Sequence, residues 1–171
     1  MGGMENGLVN LLNRIPPSRY RQCVICAQDF SDFRNRITAS NVEVFALHKS
    51  ELTRIGLYRA MLKLFRQLSP TIVHSRNLSG LDALPAAWFA GVPIRVHGEH
   101  GWDVTDLEGK RLRPRLLRRA HSPLVNRYVT VSKDLQRYLV RNVGISPARI
   151  TQIYNGVELS RFAPSLSLIH I

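Results

Sequence analysis

Three short polar clusters, each directly behind an apolar run, hold the side chains of this 171-residue sequence that are best suited to chemistry. His74-Ser75-Arg76-Asn77 follows one run, His97-Gly98-Glu99-His100-Gly101-Trp102-Asp103 a second, and Ser132-Lys133 a third. Imidazole, guanidinium, amide and hydroxyl groups in such a pattern can hydrogen-bond a hydroxyl- or phosphate-bearing ligand. A fourth feature, Gly2-Gly3-Met4-Glu5, opens a helix pattern. Glycines there let the backbone approach a ligand and aim free N–H groups at it, although a plain turn needs no ligand. His97, Glu99 and His100 are metal-binding types, yet on an extended strand His97 and Glu99 share one face and His100 takes the other. No carboxylate-rich loop accompanies them, so no metal is expected. Cys23 and Cys26 have C-x-x-C spacing without a second ligand pair, and are expected as two reduced core cysteines. Helix capping alone accounts for Ser132.

The elements that must position these clusters follow from hydrophobic period. Val- and Ile-rich runs predict strands over residues 23–27, 42–47, 71–74, 94–97, 128–131 and 150–154, apolar on both faces as in a buried parallel sheet. Leu52, Ile55, Tyr58, Met61, Leu62, Phe65 and Leu68 recur at three- and four-residue steps, and Ser69-Pro70 ends that helix. A second helix is predicted over 81–90 with Gly91 at a left-handed cap. Leu135, Leu139 and Val143 mark a third, between Ser132 and Gly144. Strands alternating with helices predict an α/β fold, a doubly wound parallel sheet with right-handed crossovers. Ligands of such sheets gather at the carboxyl ends of the strands, where the polar clusters fall. A glycine turn opening a helix normally follows a strand, and none precedes Gly2, so the sheet is expected to lack its first strand. The folded domain is expected over 2–157, the start of an interdomain connection over 158–164, and a non-native tail over 165–171, whose Ser165-Leu166-Ser167-Leu168 has no turn chemistry.

Charge narrows the partners. Lys and Arg number 24 against 12 acids, a formal net charge of +12, which attracts phosphate-bearing ligands, anionic membranes or nucleic acid. Residues 110–119 concentrate it: Lys110, Arg111, Arg113, Arg115, Arg118 and Arg119 are interleaved with leucines and no acid. That pattern predicts either a short amphipathic helix against anionic headgroups or a solvated basic face. No aromatic platform accompanies it, so nucleic acid is not expected. No apolar run approaches the ~20 residues of a membrane span and no signal-peptide pattern opens the sequence. A cytoplasmic protein, peripheral to the inner face of the plasma membrane, is the expectation.

In chain order these clusters resemble family 4 glycosyltransferases, enzymes of the GT-B fold with two facing Rossmann-like domains. Gly2-Gly3-Met4-Glu5 resembles that family's N-terminal glycine loop, and Ile72-Val73-His74-Ser75 its strand ending in the cleft. Val92-Pro93 with His100-Gly101 resembles its "VP…HG" segment, and Val129-Thr130-Val131-Ser132 its "VS" element. The most specific match is Ile153-Tyr154-Asn155-Gly156-Val157-Glu158, followed by Phe162-Ala163-Pro164, which resembles "NGVD…F.P" with Glu158 in place of the usual Asp. Gly98-Glu99-His100-Gly101-Trp102-Asp103 looks most like sugar transferases of bacterial exopolysaccharide and exosortase systems.

The resemblance implies retaining transfer of a sugar from a nucleotide donor, a substrate rather than a cofactor, to a glycan or lipid-linked acceptor. It implies that His100 contacts the transferring sugar near the reaction centre and that Gly3 approaches a phosphate by its backbone. Gly2, Glu5, His74, Arg76, Asn77, Gly101, Ser132, Asn155 and Gly156 would line the substrate cleft. The family's second domain, with paired glutamates gripping the nucleotide sugar, has no counterpart in these residues, so the 171 residues alone are expected not to catalyse. A different class stays open: a non-catalytic basic Rossmann-like module bound to an anionic membrane or nucleic acid. An NAD enzyme is a weaker rival, since the glycine turn lacks the full G-x-G-x-x-G fingerprint.

Overall fold

The computed structural model describes residues 3–30, 32–102, 106 and 109–156. Among these residues six strands form: β1 (Gln22–Cys26), β2 (Val42–Ala46), β3 (Ile72–Arg76), β4 (Ile94–Glu99), β5 (Arg127–Thr130) and β6 (Ile150–Gln152). All pairings are parallel. β1 and β2 make one sheet, and β3-β4-β5-β6 in that order make another. Among the described residues the two sheets share no ladder, and β1 and β3 are each paired on one edge only. Both sheets nevertheless rest on one helix layer, since Ile25 of β1 and Val73 of β3 pack against the same cluster.

The helices are α1 (Gly3–Arg14), α2 (Arg54–Leu68), α3 (Asn77–Gly80), α4 (Ala83–Phe89), α5 (Leu112–His121) and α6 (Lys133–Tyr138). α2 begins where Thr53 accepts a hydrogen bond from the Gly56 N–H at 3.0 Å, and ends at Ser69 in the left-handed conformation. Its Leu57, Met61, Leu64 and Phe65 are buried, the stripe that the three- and four-residue steps predict. The helix predicted over 81–90 forms as α4, and a further short helix, α3, precedes it. α3 begins directly at the end of β3 with Asn77 at φ 52°, so the break falls at Leu81 and Asp82. Past α6 the chain widens into a π turn over Leu139–Val143 that Gly144 closes at φ 86°.

Three clusters of buried side chains hold these elements. α1 covers the first sheet through Val9, Leu12, Val24 and Phe33. α2 and α4 meet through Leu57, Met61, Phe65, Ala86, Ala87 and Val92. Leu81, Leu84, Tyr128, Tyr138, Leu139, Val143 and Ile150 pack below β5 and β6. Leu139 is fully buried, so Leu139→Ala is expected to lower unfolding free energy by about 2–5 kcal/mol through lost transfer energy and a cavity. Urea denaturation with an unchanged m-value checks this; a loss below 1 kcal/mol would show that the site collapses around the smaller side chain.

Cys23 and Cys26 are free and half-buried rather than deep in the core. Burial first, and nearby acids second, push both thiols above their usual pKa. The segments over 158–164 and 165–171 lie outside the described residues, as does Gly2.

Candidate functional site

β3 and β4 each run two residues further than their apolar runs predict. Ser75 pairs with His97 and Arg76 with Gly98, while Gly98 and Glu99 also pair with Val129 and Thr130 on β5. Polar residues expected in loops therefore belong to strands, and alternation sorts them onto two faces.

One face carries a buried chain of polar contacts. Ser75 lies 2.8 Å from His97 Nδ1, and His97 Nε2 lies 3.3 Å from Glu99 Oε1. Glu99 accepts two hydrogen bonds from the Arg118 guanidinium, at 2.6 Å from Nε and 3.0 Å from Nη2. The neighbouring carboxylate fixes a proton on His97 Nε2, which leaves Nδ1 to accept from the Ser75 hydroxyl in the neutral ring. Burial alone would raise the Glu99 carboxyl; hydrogen bonds from His97 and Arg118, and the Arg118 charge, more than reverse this and hold it below the ordinary range. Serine, histidine and acid stand here in sequence, but His97 and Glu99 are 0% and 1% exposed and Arg118 neutralises the acid. No substrate reaches them. The set is a bolt between β3, β4 and α5.

Arg118 corrects an expectation. The sequence assigns it to the membrane-facing cations, but it is buried, paired with Glu99, with its guanidinium 5.6 Å above the Tyr138 ring. The reason is helical phase: Pro114 and Arg118, four apart, form the buried face of α5. Lys110, Arg111, Arg113 and Arg119 stay exposed, Arg115 is half-buried, and Leu112, Leu116 and Leu117 face outward among them. The segment before α5 is pinned by Asp106, whose carboxylate accepts from the Lys110 and Arg111 N–H groups at 2.9 and 3.1 Å. Gly109, at φ 65°, leaves space for Trp102, which packs edge-on against Tyr138 at 5.1 Å.

The opposite face brings four expected residues together. His74 and Arg76 alternate along β3, and the His100 ring lies 6.0 Å from that of His74. Gly98 lies beneath both rings: a Cβ there would meet His100 Nε2 and stand 2.8 Å from His74 Nε2. Asn77 fixes the turn, its Oδ1 accepting from the His100 N–H at 2.7 Å. Beside His100, Gly101 borders open space. His100 Nε2 is buried without a hydrogen-bond partner among the described residues. Desolvation first, then the charge of Arg76, lowers the His100 pKa from 6.5 to about 4, with His97 adding to the fall and Glu99 opposing it. The ring is thus neutral near pH 7 and offers one donor and one acceptor.

This has a measurable consequence for stability. Between pH 6.5 and about 4 the unfolded chain binds the His100 proton and the folded chain does not, so stability falls as pH falls through that window. His74, Arg76, His97 and Glu99 surround the ring. In His100→Gln the melting temperature is expected to decline less steeply over the same window; equal slopes would remove His100 as the cause.

Other expected site residues stand apart. Ser132 caps α6, accepting from the Leu135 N–H at 3.2 Å, and capping uses it fully. Gly3 and Glu5 lie in the first turn of α1, with Glu5 close enough to Cys26 to disfavour its thiolate, near the carboxyl end of β1. Asn155 and Gly156 are exposed beyond β6.

Comparison with known proteins agrees with this architecture. The chain is 28% identical over 125 residues to the Escherichia coli UDP-Gal:alpha-D-GlcNAc-diphosphoundecaprenol alpha-1,3-galactosyltransferase, covering 71% of this chain and 31% of that protein. It is 26% identical over 177 residues to the putative glycosyltransferase EpsF of Bacillus subtilis (strain 168), covering 96% of this chain and 44% of that one. The chain therefore spans less than half the length of these relatives. Its backbone matches Anabaena HepE in complex with UDP and glucose at a TM-score of 0.71 and 18% identity, over 97% of this chain and 44% of the other. The same protein with UDP-glucose matches at 0.67 and 19% identity, over 98% and 44%. That likeness shows the fold, a Rossmann-like half of a GT-B architecture. The model of Glycosyltransferase Family 4 matches residues 1–161, and the chain belongs to that family.

Proposed function

We propose that this chain is the acceptor-side half of a retaining glycosyltransferase that moves a sugar from a nucleotide-sugar donor to a glycan or lipid-linked acceptor in cell-surface polysaccharide synthesis. The observation that carries the reading is His100: a neutral imidazole on the carboxyl rim of the sheet, with open space at Gly101 beside it. A donor at that place can hydrogen-bond the sugar and stabilise charge as the glycosidic bond breaks. Gly3, Glu5, His74, Arg76, Asn77, Gly101, Asn155 and Gly156 are proposed to line the cleft, with Ser132 shaping it through its cap. The nucleotide sugar is a substrate, and no cofactor is required. Two relatives support the acceptor class and donor class by name: one acts on a diphosphoundecaprenol-linked sugar, and HepE is solved with UDP-glucose. Because the chain spans less than half of its relatives, transfer is expected from the full-length polypeptide and not from these 171 residues alone.

The test is direct. Full-length protein is incubated with UDP-glucose or UDP-galactose and an undecaprenyl-diphosphate-linked N-acetylglucosamine, with the anomeric configuration of the product read by NMR. An inverted product would sink the retaining assignment. Binding to anionic vesicles without transfer from any nucleotide sugar would favour the non-catalytic module.

α5 supplies the membrane contact. Leu112 and Leu116 are 56% and 51% exposed between outward arginines, an apolar strip in a basic frame. Each cation near an anionic surface adds about 1 kcal/mol at low salt. Full-length protein is expected to co-sediment with phosphatidylglycerol vesicles and to release with added salt. Arg113→Glu/Arg119→Glu should weaken this at least tenfold, whereas binding as strong to neutral phosphatidylcholine would count against it.

A further inference from the structure

Arg76 stands out among the arginines drawn into this protein. Arg118 meets the Glu99 carboxylate, Arg95 donates to the Leu124 and Val92 carbonyls, and Arg149 donates to those of Ser122 and Val125. Arg76 is half-buried at the last position of β3 and has no hydrogen bond or ion pair to its side chain among the described residues. Desolvation pushes its pKa below the usual value, and no acid among the described residues offsets it. A cation withdrawn from water without a counter-charge is costly, and protein folds resolve that by pairing it. Among the described residues no protein group supplies the pair.

The surroundings select the missing partner. His74 lies two residues back on the same strand face and is exposed along the open edge of β3, so the place is reachable. His100 Nε2, also without a partner, closes the other side. Gly98, paired with Arg76 across the ladder, contributes no side chain to the floor. These are nitrogens on one face, while Glu99, the acid at the end of β4, is turned to the opposite face and committed to Arg118. A planar guanidinium flanked by imidazoles matches a tetrahedral oxyanion offering two oxygens side by side.

We infer that Arg76, flanked by His74 and His100, binds a phosphate group of a diphosphate-bearing substrate. The assignment rests on the transferase reading and deepens it by naming the group that this part of the rim holds. The diphosphate can come from the nucleotide of the donor or from the lipid carrier of the acceptor, and both present the same oxygens to the guanidinium.

Calorimetric titration of the full-length protein with inorganic pyrophosphate, UDP and farnesyl diphosphate tests it. Arg76→Gln is expected to weaken pyrophosphate binding at least tenfold with an unchanged thermal melt, and Arg76→Lys to recover part of the loss. Weakening toward UDP alone assigns the donor diphosphate; weakening toward farnesyl diphosphate alone assigns the acceptor. Wild-type affinity for pyrophosphate in a well-folded Arg76→Gln overturns the inference, as does a wild-type protein that binds none. A second measurement needs no variant. Pyrophosphate should shield Arg76 from phenylglyoxal, read by peptide mass spectrometry, at concentrations that leave Arg119 reacting; equal labelling of Arg76 with and without pyrophosphate overturns the assignment. Sugar transfer with unaltered pyrophosphate binding in Arg76→Gln refutes the anion site and leaves the transferase reading intact. Binding of pyrophosphate through Arg76 without any transfer refutes the transferase reading and leaves the anion site intact.

Discussion

Replacing His100 by alanine in the full-length protein is expected to slow the proposed sugar transfer by roughly ten- to a thousandfold, the range for losing one group that stabilises developing charge. The melting temperature should change little above pH 6.5. His100 is held by its backbone, through the Asn77 side chain, and its ring covers Gly98 without a hydrogen bond to any described residue. Its removal therefore breaks no polar contact of the fold. His97→Ala, measured beside it, should behave in the opposite way. His97 is fully buried between Ser75 and Glu99, so its loss removes a hydrogen bond from each, leaves the Ser75 hydroxyl only the Val96 carbonyl at 3.4 Å, opens a cavity, and lowers stability by about 1–3 kcal/mol. Full activity in His100→Ala, or an effect confined to melting temperature, would remove His100 from the chemistry.

The largest effect on stability is expected at Arg118. Arg118→Ala leaves Glu99, 1% exposed, as an uncompensated buried charge, and breaking such a pair costs about 3–5 kcal/mol. Arg118→Leu combined with Glu99→Leu should recover much of that loss, because a buried pair replaced by packed apolar groups is often near neutral. Chemical denaturation of Arg118→Leu, Glu99→Leu and the double variant forms the cycle that isolates the interaction. Additive losses would show that Arg118 and Glu99 act independently and that the bolt between β4 and α5 is held by packing alone. The pH dependence has a defined sign. Glu99 is depressed in the folded state, so the stability it brings is present above the carboxylate range and is lost as pH falls through its folded value.

The six strands were legible because runs such as Val24-Ile25 and Ile94 to Val96 have one dominant residue class and short length. Their ends were not. Whether Ser75, Arg76, Gly98 and Glu99 stay in a ladder depends on partners such as Val129 and Thr130, which lie far along the chain. The cap at Ser132 and the left-handed glycines at 91 and 144 were legible, since each depends on a few neighbouring residues. The roles of the cations in 110–119 were only partly so. A window of charge and leucine does not say which face of a helix turns inward; that requires knowing that Glu99, nineteen residues earlier, waits beneath α5. One signal was present: Pro114 and Arg118 share a face, and Leu112, Leu116 and Leu117 do not lie on it. The cluster of His74, Arg76 and His100 was legible as a set of types at strand ends. That Arg76 lacks an acid partner among the described residues emerged only from the arrangement of the faces.

Gly98 gives the rim an unusual kind of vulnerability. Its backbone is ordinary strand, so alanine at 98 would fit the ladder, and most substitution tables would rank the change as mild. Yet the one added carbon would occupy the place where both imidazoles converge, and flexible rings yield before a sheet does. The position thus separates shape from function within a single methyl group. Drift at 98 would leave a soundly folded chain whose working surface had been quietly rearranged, a failure that assays of expression or solubility would pass without notice.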